Sequence, residues 1–136
     1  MLNWSGNVTF AAKRLRQPRS VEDLQALVSE TPSLHALGAR HSFSAVADSP
    51  GVLVDLSLID AQPAIDVAAR TVTVSGGTRY RELAQVLEAK GFALANLPSF
   101  TQLSVAGAIA TGTHGSGDRL ATLASLAVLN CIKMTK

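Results

Sequence analysis

The chain has 136 residues, 47% of them hydrophobic and 16% charged, with a formal net charge of +2. This balance excludes a disordered chain, which combines high charge with little apolar content, and it provides no basic footprint for nucleic acid. No apolar run is long enough to span a membrane, the first residues lack the pattern of a signal peptide, and a single cysteine excludes an internal disulfide. We therefore predict one soluble, cytoplasmic α/β domain with neither nucleic acid nor a membrane as partner.

The first predicted element is a helix that begins after Ser20. Ser20 and the carboxylate of Asp23 have the spacing of a capping box, and Pro32 ends the helix. Its apolar side chains fall on one face at helical spacing: Val21, Leu24, Leu27 and Val28.

Short strands and turns follow this helix. Residues 34–37 form a predicted strand that ends in a turn at residues 38–42, and residues 51–56 form another strand. Residues 64–67 and 71–74 are the predicted arms of a hairpin. A helix followed by a strand and a glycine-containing turn is typical of an α/β arrangement.

A second helix is predicted after the hairpin, with Thr78 as its N-terminal cap. Its apolar face consists of Tyr80, Leu83, Ala84 and Leu87. Gly91 occupies the position of a left-handed C-terminal cap, and residues 92–94 form a short strand. Residues 122–136 return to apolar periodicity, and their last strand is expected to expose an unpaired apolar edge at residues 126–132.

Residues 99–117 differ in composition from the rest of the chain. They consist mainly of glycines, hydroxyl side chains and small apolar residues, and they include His114. Such a segment packs poorly as a core, but it allows the backbone to approach a large polar ligand closely. Since residues 111–117 interleave hydrogen-bonding groups with three glycines, a ligand loop is favoured over a plain connection.

Gly76, Gly77 and Thr78 lie between a predicted strand and a predicted helix, where free backbone N–H groups can bind phosphate. Two glycines are a weak signal, and both a phosphate loop and a structural turn remain open. No Gly-x-Gly-x-x-Gly motif follows a strand, and no Gly-x-x-x-x-Gly-Lys loop occurs. Nicotinamide dehydrogenases and nucleotide triphosphatases are therefore not favoured.

His41 follows a predicted strand, and its position alone favours a surface or hydrogen-bonded histidine over a catalytic one. The charge of Arg40 beside it disfavours the imidazolium and keeps a neutral, nucleophilic ring available. The three histidines, His35, His41 and His114, have neither the spacing nor the cysteine partners of a metal site, so no metal is predicted. No Gly-x-Ser-x-Gly elbow supports a serine hydrolase.

Four motifs in one order and spacing carry a family resemblance. They are Asn3-Trp4-Ser5-Gly6-Asn7, Ala36-Leu37-Gly38-Ala39-Arg40-His41-Ser42-Phe43, Val74-Ser75-Gly76-Gly77-Thr78-Arg79-Tyr80 and Ser104-Val105-Ala106-Gly107-Ala108-Ile109-Ala110-Thr111-Gly112-Thr113-His114-Gly115-Ser116. The set resembles the N-terminal part of alditol (xylitol) oxidases and of sugar-lactone oxidases such as gulonolactone and D-arabinono-1,4-lactone oxidase. These enzymes are flavoproteins of the vanillyl-alcohol-oxidase type. Nearly the whole chain takes part in the resemblance.

The resemblance implies an α/β FAD-binding domain of the PCMH type, in which a small sheet with flanking helices forms part of two lobes around the flavin. Residues 1–136 would be an incomplete FAD-binding domain. Its first lobe would be residues 1–95, and residues 96–136 would begin the second lobe. The substrate domain is expected to be absent.

The resemblance also implies, by matching position, which residues contact FAD. The turn that carries His41 would wrap the pyrophosphate and the ring edge, and His41 matches the place of covalent flavin attachment. Ser99 matches a serine beside the flavin ring, close to the substrate, and is the candidate catalytic residue. The implied cofactor-binding residues are Ala36, Leu37, Gly38, Ala39, Arg40, His41, Ser42, Ser99, Ser104, Gly107, Thr113, His114, Gly115 and Ser116.

The implied activity is oxidation of CH–OH groups of small-molecule polyols or sugar lactones by FAD, with O2 as acceptor and H2O2 as product. Arg40 replaces a glycine that sugar-lactone oxidases often carry, which favours the xylitol-oxidase side of the family. The 136 residues alone are expected to be inactive, because the residues that hold the substrate are expected outside them. The alternative is a catalytically inactive flavin-binding or interaction module left by truncation.

Overall fold

The computed structural model describes residues 1–59, 62–117, 119, 122–123, 127–128 and 131–135. Strands and helices are mixed along the chain, which confirms the predicted α/β class. The chain divides into two compact units, Met1–Asp60 and Ala61–Lys136. The lobe boundary expected after residue 95 stays a prediction. None of the helices in the described ranges is both long and apolar enough to cross a membrane.

The first unit contains a three-stranded parallel sheet. Its strands are β1 (Arg14–Arg16), β2 (Leu34–Ala36) and β3 (Val52–Val54), in the order β1-β3-β2. The strands predicted at residues 34–37 and 51–56 are thus confirmed. β1 was not predicted, since its three exposed residues include two arginines and lack a buried alternation.

Helix α1 (Val21–Glu30) begins where the sequence predicts. The hydroxyl of Ser20 accepts a hydrogen bond from the backbone N–H of Asp23 at 3.1 Å. The Asp23 carboxylate accepts from the N–H of Arg19 at 3.2 Å, one residue before the position that a full capping box uses. None of the helix residues is buried, and only Leu24 and Leu27 of the predicted apolar face are half-buried.

The core of the first unit is small and lies beside β3. It is formed by three buried side chains, Phe10, Leu37 and Leu53. Gly51 lies directly before β3, and a Cβ atom built there would lie 2.2 Å from the carbonyl oxygen of Ser33. The same carbonyl accepts a hydrogen bond from the N–H of Val52 at 3.0 Å, so only glycine allows this close approach.

The second unit contains an antiparallel sheet. The predicted hairpin is confirmed as β4 (Ala64–Asp66) and β5 (Thr71–Thr73), and β5 pairs next with β8 (Cys131–Thr135). β8 also pairs with β6 (Ala93–Leu94) and β7 (Ala127–Val128). The expectation of an unpaired edge is therefore wrong for Cys131 and Ile132, because both residues pair with β5 on one side and with β7 on the other. Residues 126, 129 and 130, on which the same expectation falls, lie outside the described residues.

Helix α2 (Tyr80–Glu88) has Arg79, not the predicted Thr78, at its N-cap. The N–H of Thr78 donates to the carbonyl of Ser75 at 3.0 Å, so Thr78 still belongs to the preceding turn. The predicted C-terminal cap is confirmed, because Gly91 has a φ of +75°. The N–H of Phe92 then donates to the carbonyl of Leu87 at 2.9 Å, as in a Schellman motif.

Helix α3 (Val105–Ala110) lies inside the segment that was expected to pack poorly, and it was not predicted. Val105 and Ala108 are buried and join the core of the second unit, so that expectation is wrong for these two residues. The buried residues of this core are Val72, Val74, Tyr80, Leu83, Leu87, Val105, Ala108 and Leu123.

Candidate functional site

In the first unit, the turn that follows β2 carries His41. The N–H of Leu37 donates to the carbonyl of Val54 at 2.7 Å, which extends the pairing of β2 with β3 by one residue. Leu37 is buried, Ala36 is exposed, and Gly38 and Ala39 are half-buried. The start of the turn is therefore anchored in the core through Leu37, and the residues that follow lead away from the sheet.

The left-handed residue of this turn is Arg40, with a φ of +63°. A side chain in this region of backbone space is uncommon, and the surroundings must hold it there. Nothing in the local sequence pattern pointed to Arg40 as the left-handed residue. Arg40 is exposed, whereas His41 and Ser42 are half-buried.

A short N-terminal hairpin holds this turn. Residues Leu2 and Thr9 pair as an antiparallel bridge, and Gly6 at its tip has a φ of +75°. The N–H of Trp4 donates to the Arg40 carbonyl at 2.8 Å. The rings of Trp4 and His41 lie with their centroids 5.1 Å apart and their planes tilted by 46°.

Two asparagine side chains of the hairpin also bind the turn that carries His41. The Nδ2 atom of Asn3 donates to the carbonyl of Ser42 at 2.9 Å, and the Nδ2 atom of Asn7 donates to the carbonyl of Phe43 at 2.9 Å. The motif that contains these asparagines was recognised in the sequence, but no role was assigned to it. Their role in holding the turn rests on contacts between residues 39 and 36 positions apart in the sequence.

In the second unit, two loops are joined by hydrogen bonds at the starts of α2 and α3. The N–H groups of Tyr80 and Arg81 donate to carbonyls of the loop before α3, those of Leu103 (3.1 Å) and Thr101 (2.9 Å). In return, the first two amides of α3 donate to carbonyls of the glycine loop. These bonds run from Val105 to Thr78 at 2.9 Å and from Ala106 to Gly76 at 3.1 Å.

This exchange bears on the two interpretations of Gly76, Gly77 and Thr78. The first amides of α2 are already bonded to protein carbonyls, and they are not free for phosphate. Two residues of the stretch use their carbonyls to support α3. The geometry therefore favours the structural turn over the phosphate loop.

Ser104 precedes α3 and has a buried hydroxyl group. The residue is 4% exposed, and its Oγ atom has no hydrogen-bond partner. As the residue at the N-cap, Ser104 makes no side-chain cap bond. A buried polar group without a partner costs about 1–3 kcal/mol, so this hydroxyl is suited to a polar ligand. Gly107, one turn further on, is half-buried.

The end of α3 is bound tightly to the loop that follows. The hydroxyl of Thr111 donates to the carbonyl of Gly107 at 3.0 Å and lies 3.1 Å from the hydroxyl of Thr113. The N–H of Thr113 donates to the carbonyl of Ala108 at 2.9 Å. Gly112 has a φ of +62°, and a Cβ atom built there would meet nothing within 4 Å. The loop therefore turns sharply and leaves open space around its backbone.

His114 and its neighbours continue this loop. The Nδ1 atom of His114 lies 2.8 Å from the carbonyl oxygen of Gly115. A carbonyl only accepts hydrogen bonds, so this contact is a hydrogen bond in the tautomer that has its proton on Nδ1. His114 and Ser116 are exposed, and a Cβ atom built on Gly115 would lie 3.3 Å from the side-chain oxygen of Asn96.

The structure brings together some of the predicted site residues and leaves others apart. Ser104, Gly107 and Thr113 are connected through α3 and its end. Ser99 is exposed, and no hydrogen bond joins it to these residues in the part of the chain that the structure describes. Among the described residues, no group of three or more His, Cys, Asp or Glu side chains is placed to hold a metal ion.

Comparison with known proteins relates the chain to flavoproteins. A family model described as "FAD binding domain" matches residues 12–131. An alditol oxidase of Streptomyces sp. is 47% identical over 118 residues, which are 85% of this chain and 28% of that protein. A D-arabinono-1,4-lactone oxidase of Yarrowia lipolytica is 36% identical over 121 residues, 83% of this chain and 23% of that protein. The chain thus spans about a quarter of the length of these relatives.

Two solved structures have a similar fold. A solvent-stable cholesterol oxidase superposes with a TM-score of 0.71 at 22% identity, covering 92% of this chain and 28% of the other. An alkyldihydroxyacetonephosphate synthase superposes with a TM-score of 0.72 at 21% identity, covering 84% of this chain and 23% of the other. At this level of identity the likeness shows a common fold.

Proposed function

The chain belongs to the FAD-binding domain family, and from that premise we propose that it is the N-terminal part of the flavin domain of an alditol or sugar-lactone oxidase. The activity proposed for the whole protein is oxidation of a CH–OH group to a carbonyl, with O2 accepting the electrons to give H2O2. The observation that carries this proposal is the 47% identity with an alditol oxidase over 85% of the chain. The cytoplasm is the proposed location.

The residues of the second unit fit a bound FAD. The buried hydroxyl of Ser104 lacks a partner, and a phosphate oxygen would accept its proton in a charge-assisted hydrogen bond. The backbone around Gly112 is open, which lets a large polar ligand approach. We propose that Ser104, Gly107, Thr113 and residues 114–116 contact the diphosphate and the ribityl chain.

In the first unit, the turn after β2 is proposed to contact the flavin as well. The residues concerned are Ala36, Leu37, Gly38, Ala39, Arg40, His41 and Ser42. His41 would hold the flavin covalently through an imidazole nitrogen, since its half-buried ring is fixed beside Trp4. The exposed guanidinium of Arg40 supplies a positive charge next to it. We propose these roles from matching position together with the fixed geometry of the turn.

The bound flavin would supply the redox chemistry by taking up a hydride from the carbinol carbon. The chain's own part is to bind and orient the cofactor. Ser99, which is exposed in the loop before α3, is proposed to lie near the substrate and to bond one of its hydroxyl groups.

The proposal is tested by the colour of the purified protein. A flavin-loaded protein is yellow, and anaerobic addition of xylitol or sorbitol to the whole protein should bleach it. A sugar lactone serves as the parallel substrate and separates the two branches of the family. A yellow protein that neither a polyol nor a lactone bleaches would instead indicate a flavin-binding module without this activity, and a colourless protein would overturn the cofactor assignment.

A further inference from the structure

The two carbonyl groups that flank His41 are held by consecutive residues of the N-terminal hairpin. The N–H of Trp4 donates to the Arg40 carbonyl at 2.8 Å, and the side-chain amide of Asn3 donates to the Ser42 carbonyl at 2.9 Å. The residues directly before and after His41 are therefore both held by the hairpin through their carbonyl groups. We propose that Asn3 and Trp4 are positioning residues for the His41 imidazole, an inference that rests on the proposed attachment of flavin at His41.

Asn3 is suited to this role because its side chain is bonded at both ends. It is 5% exposed, and its Oδ1 atom accepts from the N–H of Val8 at 3.1 Å. Its Nδ2 atom also lies 2.7 Å from the Oδ1 atom of Asn7 and 2.9 Å from the Oγ atom of Ser5. A buried amide with this many partners cannot turn without leaving a polar group unsatisfied. Asn3 is thus a rigid link between the hairpin and the turn.

Arg40 explains why the turn needs such a link. Its left-handed backbone, with a φ of +63°, costs of order 1–3 kcal/mol and persists only where neighbouring contacts determine it. The hydrogen bond from Trp4 ends on the carbonyl of this strained residue. Without it, we expect Arg40 to relax and His41 to change direction.

The indole ring of Trp4 restricts the imidazole itself. The two ring centroids are 5.1 Å apart, within the range of favourable aromatic contacts. Trp4 is 64% exposed, so burial in the core does not account for its place. Holding a reacting side chain in one geometry removes part of the entropic cost of reaction, which is the advantage that the contact provides.

The first experiment uses Trp4, the single tryptophan of the chain, as a reporter on the flavin-free protein. An imidazolium in contact with indole quenches its fluorescence more than the neutral ring does. Between about pH 8 and about pH 5, where histidine titrates, emission should fall in the unsubstituted chain. His41→Ala should abolish this step, whereas His35→Ala and His114→Ala should keep it. A step that survives His41→Ala overturns the contact.

The second experiment tests the positioning. Asn3→Asp keeps the shape of the side chain but replaces its donors with acceptors, so the step should be lost while thermal melting confirms a folded chain. Ser5→Ala is the matched control in the same hairpin. It removes one partner of the Asn3 amide but leaves the bond from Asn3 to the Ser42 carbonyl, so it should keep the step. Should Asn3→Asp fail to fold, Asn7→Ala removes the bond from this exposed side chain to the Phe43 carbonyl, together with its contacts to Asn3 and Ser5, and should reduce the step. A full step in these asparagine variants overturns the proposal.

A third readout separates this inference from the function on which it rests. In the FAD-loaded protein, Asn3→Asp should lower the fraction of flavin that stays attached after acid precipitation, and Ser5→Ala should not. Flavin that is acid-soluble in the unsubstituted protein overturns attachment at His41. The fluorescence step still decides whether Asn3 and Trp4 hold the ring.

Discussion

At the scale of single residues, the two histidines in motifs have different surroundings. His41 is half-buried and contacts an indole ring, whereas His114 is exposed and bonds its neighbour's carbonyl. We predict that in the flavin-loaded whole protein His41→Ala releases FAD on acid precipitation and that His114→Ala does not. The measurement is flavin absorbance in the precipitate. Acid-stable flavin in the His41→Ala protein would show that another side chain is the attachment point.

Ser104 gives a prediction with opposite signs in the two states of the protein. Because its hydroxyl is buried without a partner and makes no cap bond, Ser104→Ala should raise the free energy of unfolding of the flavin-free chain by about 1 kcal/mol. The same change should weaken FAD binding about tenfold, through loss of a hydrogen bond to phosphate. Denaturant melts and flavin titration measure the two effects. A loss of stability without flavin would contradict our description of this hydroxyl.

Tyr80 provides a prediction about alkaline pH. Burial raises the pKa of Tyr80 to about 12, compared with about 10 in an unfolded chain. The neutral phenol is thus favoured by folding, so its contribution to stability is complete below about pH 10 and is lost as the pH rises through the folded pKa. Tyr80→Phe should flatten the fall in melting temperature over that range.

Because the chain has a single tyrosine, phenolate absorbance follows Tyr80 alone and should titrate late in the native protein. An ordinary tyrosine titration without unfolding would refute the burial argument.

At the scale of elements, the start of β3 depends on a missing side chain. Gly51→Ala would place a Cβ atom 2.2 Å from the Ser33 carbonyl oxygen, and that carbonyl cannot retreat without breaking its bond to the N–H of Val52. We therefore expect a loss of several kcal/mol in the free energy of unfolding, as for other overpacked sites. Urea denaturation measures it. Gly117→Ala is the control, since nothing lies within 4 Å of a Cβ atom there.

The elements that the sequence predicted are those with local causes. Ser20 and Gly91 act through their own side chain or backbone freedom, and both caps occur where expected. α3 was missed because its first amides bond the carbonyls of Gly76 and Thr78, which are distant in the sequence. Thr78 was misassigned as a cap for a different, local reason, since its N–H bonds the carbonyl of Ser75 in the preceding turn.

For the site, the sequence indicated which loops matter but not what holds them. The order of motifs pointed to the turn after β2 and to the segment around α3. The left-handed backbone of Arg40, the bond from Asn3 to Ser42 and the partnerless hydroxyl of Ser104 each depend on three-dimensional packing. A sequence pattern carries no local signal for such features.

At the scale of the whole molecule, the length of the relatives determines the activity that we expect. The chain spans 28% of the alditol oxidase that it matches, and a polyol must be held in near-attack geometry for hydride transfer. We predict that the 136 residues by themselves release no measurable H2O2 from xylitol or sorbitol. A peroxide assay with and without added FAD tests this. Turnover above the free-flavin blank would prove the prediction wrong.

The reciprocal bonds between α2 and α3 have a consequence for how the second unit fluctuates. The first amides of each helix donate to the loop that leads into the other, so neither helix can fray at its start without releasing the other. The amides of Tyr80, Arg81, Val105 and Ala106 therefore share one opening event, and their protection against hydrogen exchange falls together. The segment of glycines, hydroxyl side chains and small apolar residues thereby takes on the cooperativity of the amphipathic helix beside it.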